Sequence, residues 1–211
     1  MNVREPADGP ARRALRRERL LTTATELFTT RGYASTSIER LCATTRVSIR
    51  AFYEEFENRE AVLIALHDGV AQAGLTAGLD VLADPATEAA DTRDRIAALS
   101  RAYVAAVTAD PAATRIAFVE VIGVSSAVEE HRLLWRSLWT DFLTDEAERA
   151  VARGEAVARD YTLAMVALIG AINELVAHWA RNHASLSREL LADELIHHAL
   201  ATLGTRTRTG K

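Results

Sequence analysis

Apolar residues recur every three or four positions along almost the whole chain, and no useful stretch alternates with period two. That pattern predicts an all-α protein. The first helix is expected from about Arg12 to Arg31, after a flexible arm over residues 1–11. Leu20, Leu21, Ala24, Leu27 and Phe28 form its apolar stripe. Gly32 stands where a left-handed residue ends a helix, so Tyr33 can fold back on Phe28. Thr36-Ser37-Ile38-Glu39 reads as a capping box, with the Thr36 hydroxyl and the Glu39 carboxylate each satisfying a free N–H. The second helix then buries Ile38, Leu41 and Cys42 and ends near Thr45. Ser48 caps a short third helix reaching about Glu55, with Phe52 and Phe56 inward, and Asn58 caps the next.

Three helices around one small core, the last two joined by a tight turn at Arg46-Val47, make a helix-turn-helix. Its third helix presents Ser48, Ile49, Arg50 and Tyr53 outward. A helix fits the major groove of duplex DNA, where its N-terminal residues meet base edges. Arg50 can donate two hydrogen bonds to guanine, Ile49 can meet a thymine methyl, and Ser48 and Tyr53 can bond phosphates. The start of the second helix, Thr36 and Ser37, offers free N–H groups to a phosphate. A helical hairpin with a merely solvated outer face is the competing reading.

Six more helices are expected: Arg59–Leu82, Thr92–Thr108, Ala112–Ile122, Ala127–Arg153, Tyr161–Asn182 and Arg188–Leu203. Asp84-Pro85, Asp110-Pro111, Gly154 and the segment 185–187 mark the breaks. Leu134, Leu138, Phe142, Trp135 and Trp139 stripe the seventh helix. The eighth, around Met165 and Ile169, is apolar nearly all round and must be buried on two sides. A second subunit can supply one of them. Leu163, Val166, Gly170 and Ala171, with Leu191, Leu195 and His198 of the ninth helix, are the candidate dimer interface; a buried central helix in a monomer is the alternative. Tyr103, Phe118, Ile122, Trp135, Trp139, Phe142 and Met165 are candidates to line a ligand pocket, with Asn173, Arg101 or Glu120 as polar handles. Glu120, in an apolar stretch, needs a partner such as Arg115 or Arg132.

Composition narrows the function. The chain has 211 residues, 49% of them hydrophobic and 26% charged, which excludes a disordered or collagen-like chain and suits one or two domains. Net charge is −4, but the first 20 residues carry six arginines against three acids, so a polyanion contact would fall at that end only. Cys42, the one cysteine, excludes a disulfide framework and a multi-cysteine zinc site. Glu194-x-x-His197 is half of a di-iron pattern without its companions, and His178 and His183 lie five apart, off a shared helix face. Gly-rich phosphate loops are absent. No metal, no cofactor and no catalysis are therefore expected. Residues 1–19 are charged and lack an apolar core, and the run Leu163–Ile172 is about half the length that spans a bilayer. A cytoplasmic protein without membrane contact is the expectation.

The segment Leu20–Leu63 resembles the DNA-binding domain of TetR-type transcriptional regulators. Ala24…Leu27-Phe28, Gly32-Tyr33, Thr36-Ser37-Ile38, Val47-Ser48, Phe52-Tyr53…Phe56 and Asn58-Arg59-Glu60 carry the resemblance. It implies an N-terminal three-helix DNA-binding domain (1–57) and a helical-bundle domain (58–211) for ligand binding and dimerisation. It also implies phosphate contacts from Thr36, Ser48, Tyr53 and Arg59, with Ile49 and Arg50 near bases. Two residues depart from the family pattern. Arg46 occupies a turn that usually carries glycine, where a left-handed conformation costs roughly 1–2 kcal/mol unless a phosphate contact offsets it. Glu55 stands where histidine is common; with Glu54 and Glu57 it must point sideways to avoid repelling DNA. The expected function is a homodimeric repressor that leaves a palindromic operator when a small molecule binds. A helical small-molecule-binding protein or enzyme with a vestigial helix-turn-helix, or a dimerisation module that has lost DNA, are the alternatives.

Overall fold

A computed structural model describes residues 9–204, within which all regular structure is helical. Residues 1–8 of the expected arm lie outside the described residues. The rest of that arm is already helix: α1 spans Pro10–Arg31, because proline at the first position gives up an N–H that has no partner there anyway. Gly32 ends it at φ +83°, donating to Phe28 O, and the Tyr33 ring meets Phe28 edge-on at 5.2 Å.

The second helix, α2 (Ile38–Thr45), starts one residue later than the capping box implies. Ser37 is its cap, accepting from the Arg40 N–H at 3.3 Å. Thr36 is fully buried and its hydroxyl donates backward to Gly32 O at 3.0 Å. Then α3 is only Ile49–Tyr53, capped by Ser48 as expected. Asn58 caps α4 (Arg59–Ala83), a rod of about 37 Å. The core beneath these helices (Leu20, Phe28, Leu41, Cys42, Phe52, Phe56) is completed by Val62 and Leu63 of α4 and by Ile116, Val121 and Val128. Packing thus runs without a break across residue 57.

Beyond a short α5 (Pro85–Glu88), which sequence periodicity missed, come α6 (Thr92–Val107) and α7 (Pro111–Arg115). Gly74 and Gly78 of α4 let α6 press close: a β-carbon on Gly74 would lie 2.8 Å from Val107 Cγ1. The expected continuous helix to Ile122 is broken after Arg115 by a π-helical turn, Ile116–Glu120, closed by Val121 N–H to Ile116 O at 3.2 Å. The wider turn brings residues five apart together, so Arg115 pairs with Glu120 at 3.0 Å.

The long helices α8 (Ser126–Ala152), α9 (Thr162–Asn182) and α10 (Arg188–Leu203) complete the bundle. Leu134 and Leu138, on the apolar stripe of α8, are 57% and 44% exposed. By length and composition alone α4 and α9 could cross a bilayer, a property they share with packed core helices. A bidentate pair, Arg95 Nε to Glu146 Oε1 at 2.6 Å and Nη2 to Oε2 at 3.0 Å, is buried between α6 and α8.

Candidate nucleic-acid interface and effector cavity

One end of the molecule is built around α3. Phe52 and Phe56 anchor it inward, and its other face is bare: Ile49 is 48% and Tyr53 55% exposed. The Arg50 side chain is 92% exposed, with only a loose 3.6 Å approach to Glu54. Ser48 is exposed with its hydroxyl capping Ala51 N–H, and Ser37 is exposed at the start of α2. Arg46 is exposed and left-handed (φ 58°, ψ 44°), the only described non-glycine residue with positive φ. All six of these candidates, Ser37, Arg46, Ser48, Ile49, Arg50 and Tyr53, are exposed.

Two others face inward. Thr36 has no exposed atom and its hydroxyl is engaged. Arg59 donates to Thr36 O at 2.6 Å and Tyr33 O at 3.2 Å, and its guanidinium lies 4.1 Å over the Tyr33 ring. Through Nη1 it clamps the start of α4 to the turn before α2.

The glutamates beside this surface are neutralised from α1. Arg16 bonds Glu55 Oε1 at 2.6 Å and Glu54 Oε2 at 3.1 Å. Arg13 and Arg17 bond the carbonyls of Glu54 and Glu55, and Arg17 stacks 4.2 Å over Phe56. The N-terminal arginine run therefore serves as an internal brace; Glu55 is drawn onto it, while Glu54 stays 44% exposed between Arg16 and Arg50.

A cavity of about 210 Å³ lies in the body. Tyr103, Phe118, Ile122, Trp135, Trp139 and Asn173 line it. Two expected wall residues do not. Met165 is 2% exposed in the core with Ile96, Leu143 and Leu168, and Phe142 packs edge-on to Trp139 against Gly78. Of the suggested polar handles, Arg101 sits outside, 3.8 Å from Asp193, and Glu120 is held by Arg115. The charged residues that do reach the cavity are Arg132, Arg136 and Glu174. The guanidinium of Arg136 has no hydrogen bond or ion pair among the described residues, whereas Arg132 pairs with Glu129. Burial pushes the Tyr103 hydroxyl pKa up.

His67 of α4 also lines the cavity. Burial, and then the neighbouring His131, lower its pKa to about 4, so the ring is neutral near pH 7. Beside it, Asp68 Oδ1 accepts from Trp135 Nε1 at 2.7 Å and lies 2.7 Å from His131 Nε2. Nothing in the sequence spacing links residues 67, 68 and 131.

Of the expected dimer residues, Leu163 (81% exposed) and Val166 (47%) face outward on α9. Ala171 and His198 are half-buried, the latter 3.2 Å from Glu194. Leu191 and Leu195, both 3% exposed, instead close the protomer's own core, and Gly170 and Leu195 border the cavity. The inward turn of α10 follows from its packing on α6 and α9.

A helix-turn-helix head on a helical body with an internal cavity is the build of a ligand-responsive DNA-binding regulator. Residues 20–66 match the model of bacterial regulatory proteins of the tetR family, and residues 89–203 that of the tetracyclin repressor-like C-terminal domain. The chain belongs to the tetR family of bacterial regulatory proteins. No curated protein matches it in sequence. Among solved structures, a tetR-family regulatory protein from Rhodococcus RHA1 is 22% identical with a TM-score of 0.73, over 91% of this chain and 98% of that one. The regulator FadR from Bacillus subtilis, in complex with stearoyl-CoA, is 16% identical at TM-score 0.74, over 88% and 98%. AibR, in complex with isovaleryl coenzyme A and operator DNA, is 20% identical at TM-score 0.67, over 90% and 100%. At such identities the likeness is one of fold.

Proposed function

We propose that the chain is a cytoplasmic, homodimeric transcriptional repressor that catalyses no reaction and leaves a palindromic operator when a small effector enters the cavity. Residues 1–57 form the DNA-binding unit and 58–211 the effector and dimerisation unit. The observation that carries this is the bare face of α3. A helix that buries Phe52 while leaving Ile49, Arg50 and Tyr53 in solvent is shaped for an external partner, and the family supplies DNA as that partner. Arg50 and Ile49 read base edges; Ser37, Arg46, Ser48 and Tyr53 hold phosphates. Two copies joined through Leu163 and Val166 of α9 would set two α3 helices on half-sites about 34–36 Å apart.

The effector is apolar with an anionic part. The wall is mostly aromatic and aliphatic, and the unpaired Arg136 guanidinium, with Arg132, supplies positive charge. A volume of about 210 Å³ lies below the roughly 300–1,000 Å³ of pockets for drug-sized ligands, which favours a short chain. The stearoyl-CoA and isovaleryl coenzyme A complexes of FadR and AibR make a short acyl thioester of coenzyme A, with only its acyl end in the cavity, the first compound to try. Release requires the effector to bind the DNA-incompetent state more tightly than the competent one.

Fluorescence anisotropy on duplex DNA flanking the protein's own gene tests the proposal. Specific binding is expected, Arg50→Ala relaxing base choice by about 1–3 kcal/mol and Tyr53→Phe weakening all sequences alike. Isovaleryl coenzyme A should release the DNA. A monomer indifferent to duplex DNA at low salt would overturn the proposal, and an effector that tightens DNA binding would overturn its repressor form.

A further inference from the structure

We propose that His67 and Asp68 of α4 and His131 of α8 form a binding site for a divalent metal ion of the zinc class, at the edge of the cavity that His67 lines. These three side chains bring one donor atom each within 4.8 Å of one another, from two helices and 63 residues apart in the chain. A second observation points the same way. His67 Nδ1 is enclosed and has no hydrogen-bond partner, one of two such buried side-chain atoms among the described residues. Leaving a buried polar nitrogen unpaired costs free energy, and native structures keep such groups where a ligand satisfies them.

The donor set fits the ion. Two imidazoles and one carboxylate are the protein ligands of a zinc site that keeps its fourth position open. Zinc bonds to nitrogen and oxygen are about 2.0–2.1 Å, so tetrahedral donors sit roughly 3.3 Å apart. The 2.7 Å His131–Asp68 contact must open by about 0.6 Å, and the widest separation, at most 4.8 Å, must close by up to about 1.5 Å. Both are side-chain rotations, since the three residues stand on two packed helices. The supporting contact already exists: Trp135 Nε1 donates to Asp68 Oδ1 at 2.7 Å and fixes the carboxylate plane. Such outer partners orient metal ligands. Arg132 of α8, whose charge acts on His67, is paired with Glu129, which limits its repulsion of a bound ion. His67 borders the cavity, while the Asp68 and His131 side chains are partly exposed to solvent, so water can complete the coordination. This site does not depend on the DNA-binding proposal.

The full-length chain, treated with EDTA and then freed of chelator, is titrated with cobalt(II) chloride while its visible ligand-field bands are followed, and with zinc chloride by calorimetry. The expected result is saturation at one equivalent per chain, with zinc displacing cobalt and bleaching the bands. Asp68→Asn and His131→Asn, both at partly exposed positions, should each weaken binding by more than the roughly 10–100-fold that loss of a supporting contact produces. His67→Gln should do the same, and if it fails to fold the other two variants carry the test. His197→Gln, on exposed α10 surface, should bind as the wild type does. Absence of saturable binding, or affinity unchanged in Asp68→Asn and His131→Asn with the fold intact by circular dichroism, would overturn the proposal.

Discussion

Replacing Arg46 by glycine should make the protein more stable and a poorer DNA binder. The residue closes α2 in the left-handed region, at φ 58° and ψ 44°. That conformation costs an L-residue roughly 1–2 kcal/mol, and glycine adopts it freely. Glycine also has more backbone entropy to lose on folding, about 0.5–1 kcal/mol, so the net gain is about 0.5–1 kcal/mol. For a chain of this size that raises the melting temperature by roughly 1–4 °C. Arg46 is exposed just before α3, where the proposed phosphate contact would offset the strain. If each copy in a dimer holds one phosphate through Arg46, the variant loses two, and the slope of log affinity against log salt becomes shallower by about 1.8. Thermal unfolding by circular dichroism and anisotropy titrations across a salt series measure the two quantities. Arg46→Lys keeps charge and strain, and should preserve both. A glycine variant that melts lower would refute the strain, and an unchanged salt slope would refute the phosphate contact.

Glu146→Gln should destabilise the body by about 3–5 kcal/mol, because it leaves the buried Arg95 charge without its counter-ion, a loss read from urea unfolding midpoints. Burial pushes the Glu146 carboxyl up, but bonds from Arg95 and Arg149 and the charge of Arg153 outweigh it, so its pKa lies below the ordinary 4.5. The stability it contributes is therefore present above pH 4.5 and lost as pH falls through the lower folded value; the wild type should lose this contribution on acidification and the variant should not. Gly74→Ala puts a β-carbon 2.8 Å from Val107 and 3.1 Å from the Tyr103 ring. Overpacking of about 1–3 kcal/mol exceeds the roughly 1 kcal/mol alanine gains in helix propensity, so the melting temperature should fall. The same variant should bind effector more weakly, since Tyr103 and Val107 border the cavity; unaltered effector affinity would contradict that geometry.

What the sequence disclosed was decided locally. Gly32, Ser48 and Asn58 mark helix ends because their backbone and hydrogen-bonding preferences act within a turn of chain, and each does what its position foretold. The choice between Thr36 and Ser37 as cap failed because both carry a hydroxyl. The full burial of Thr36, whose carbonyl Arg59 bonds from 23 residues away, decides it, and that is a tertiary fact. The π-helical turn at Ile116–Glu120 has no propensity signature; it follows from how that segment fits between the head and the body. On α9 and α10 the pattern identified apolar residues without saying which neighbour covers them, so Leu163 faces out while Leu191 and Leu195 face in. Arg59 and the arginines of α1 were legible as cations. Their partners, Thr36 O and the Glu54–Glu55 pair, were visible only once the chain was folded.

The core that α1 shares with Ile116, Val121 and Val128 limits how the protein can be recombined. A chimaera that grafted the first 57 residues onto a foreign body would leave Leu20 and Phe28 looking for hydrophobic cover that the host never evolved to provide. A workable transplant would have to carry the start of α4 through Leu66 and residues 116–128 as well, so the head and those stretches of the body travel as a single cassette.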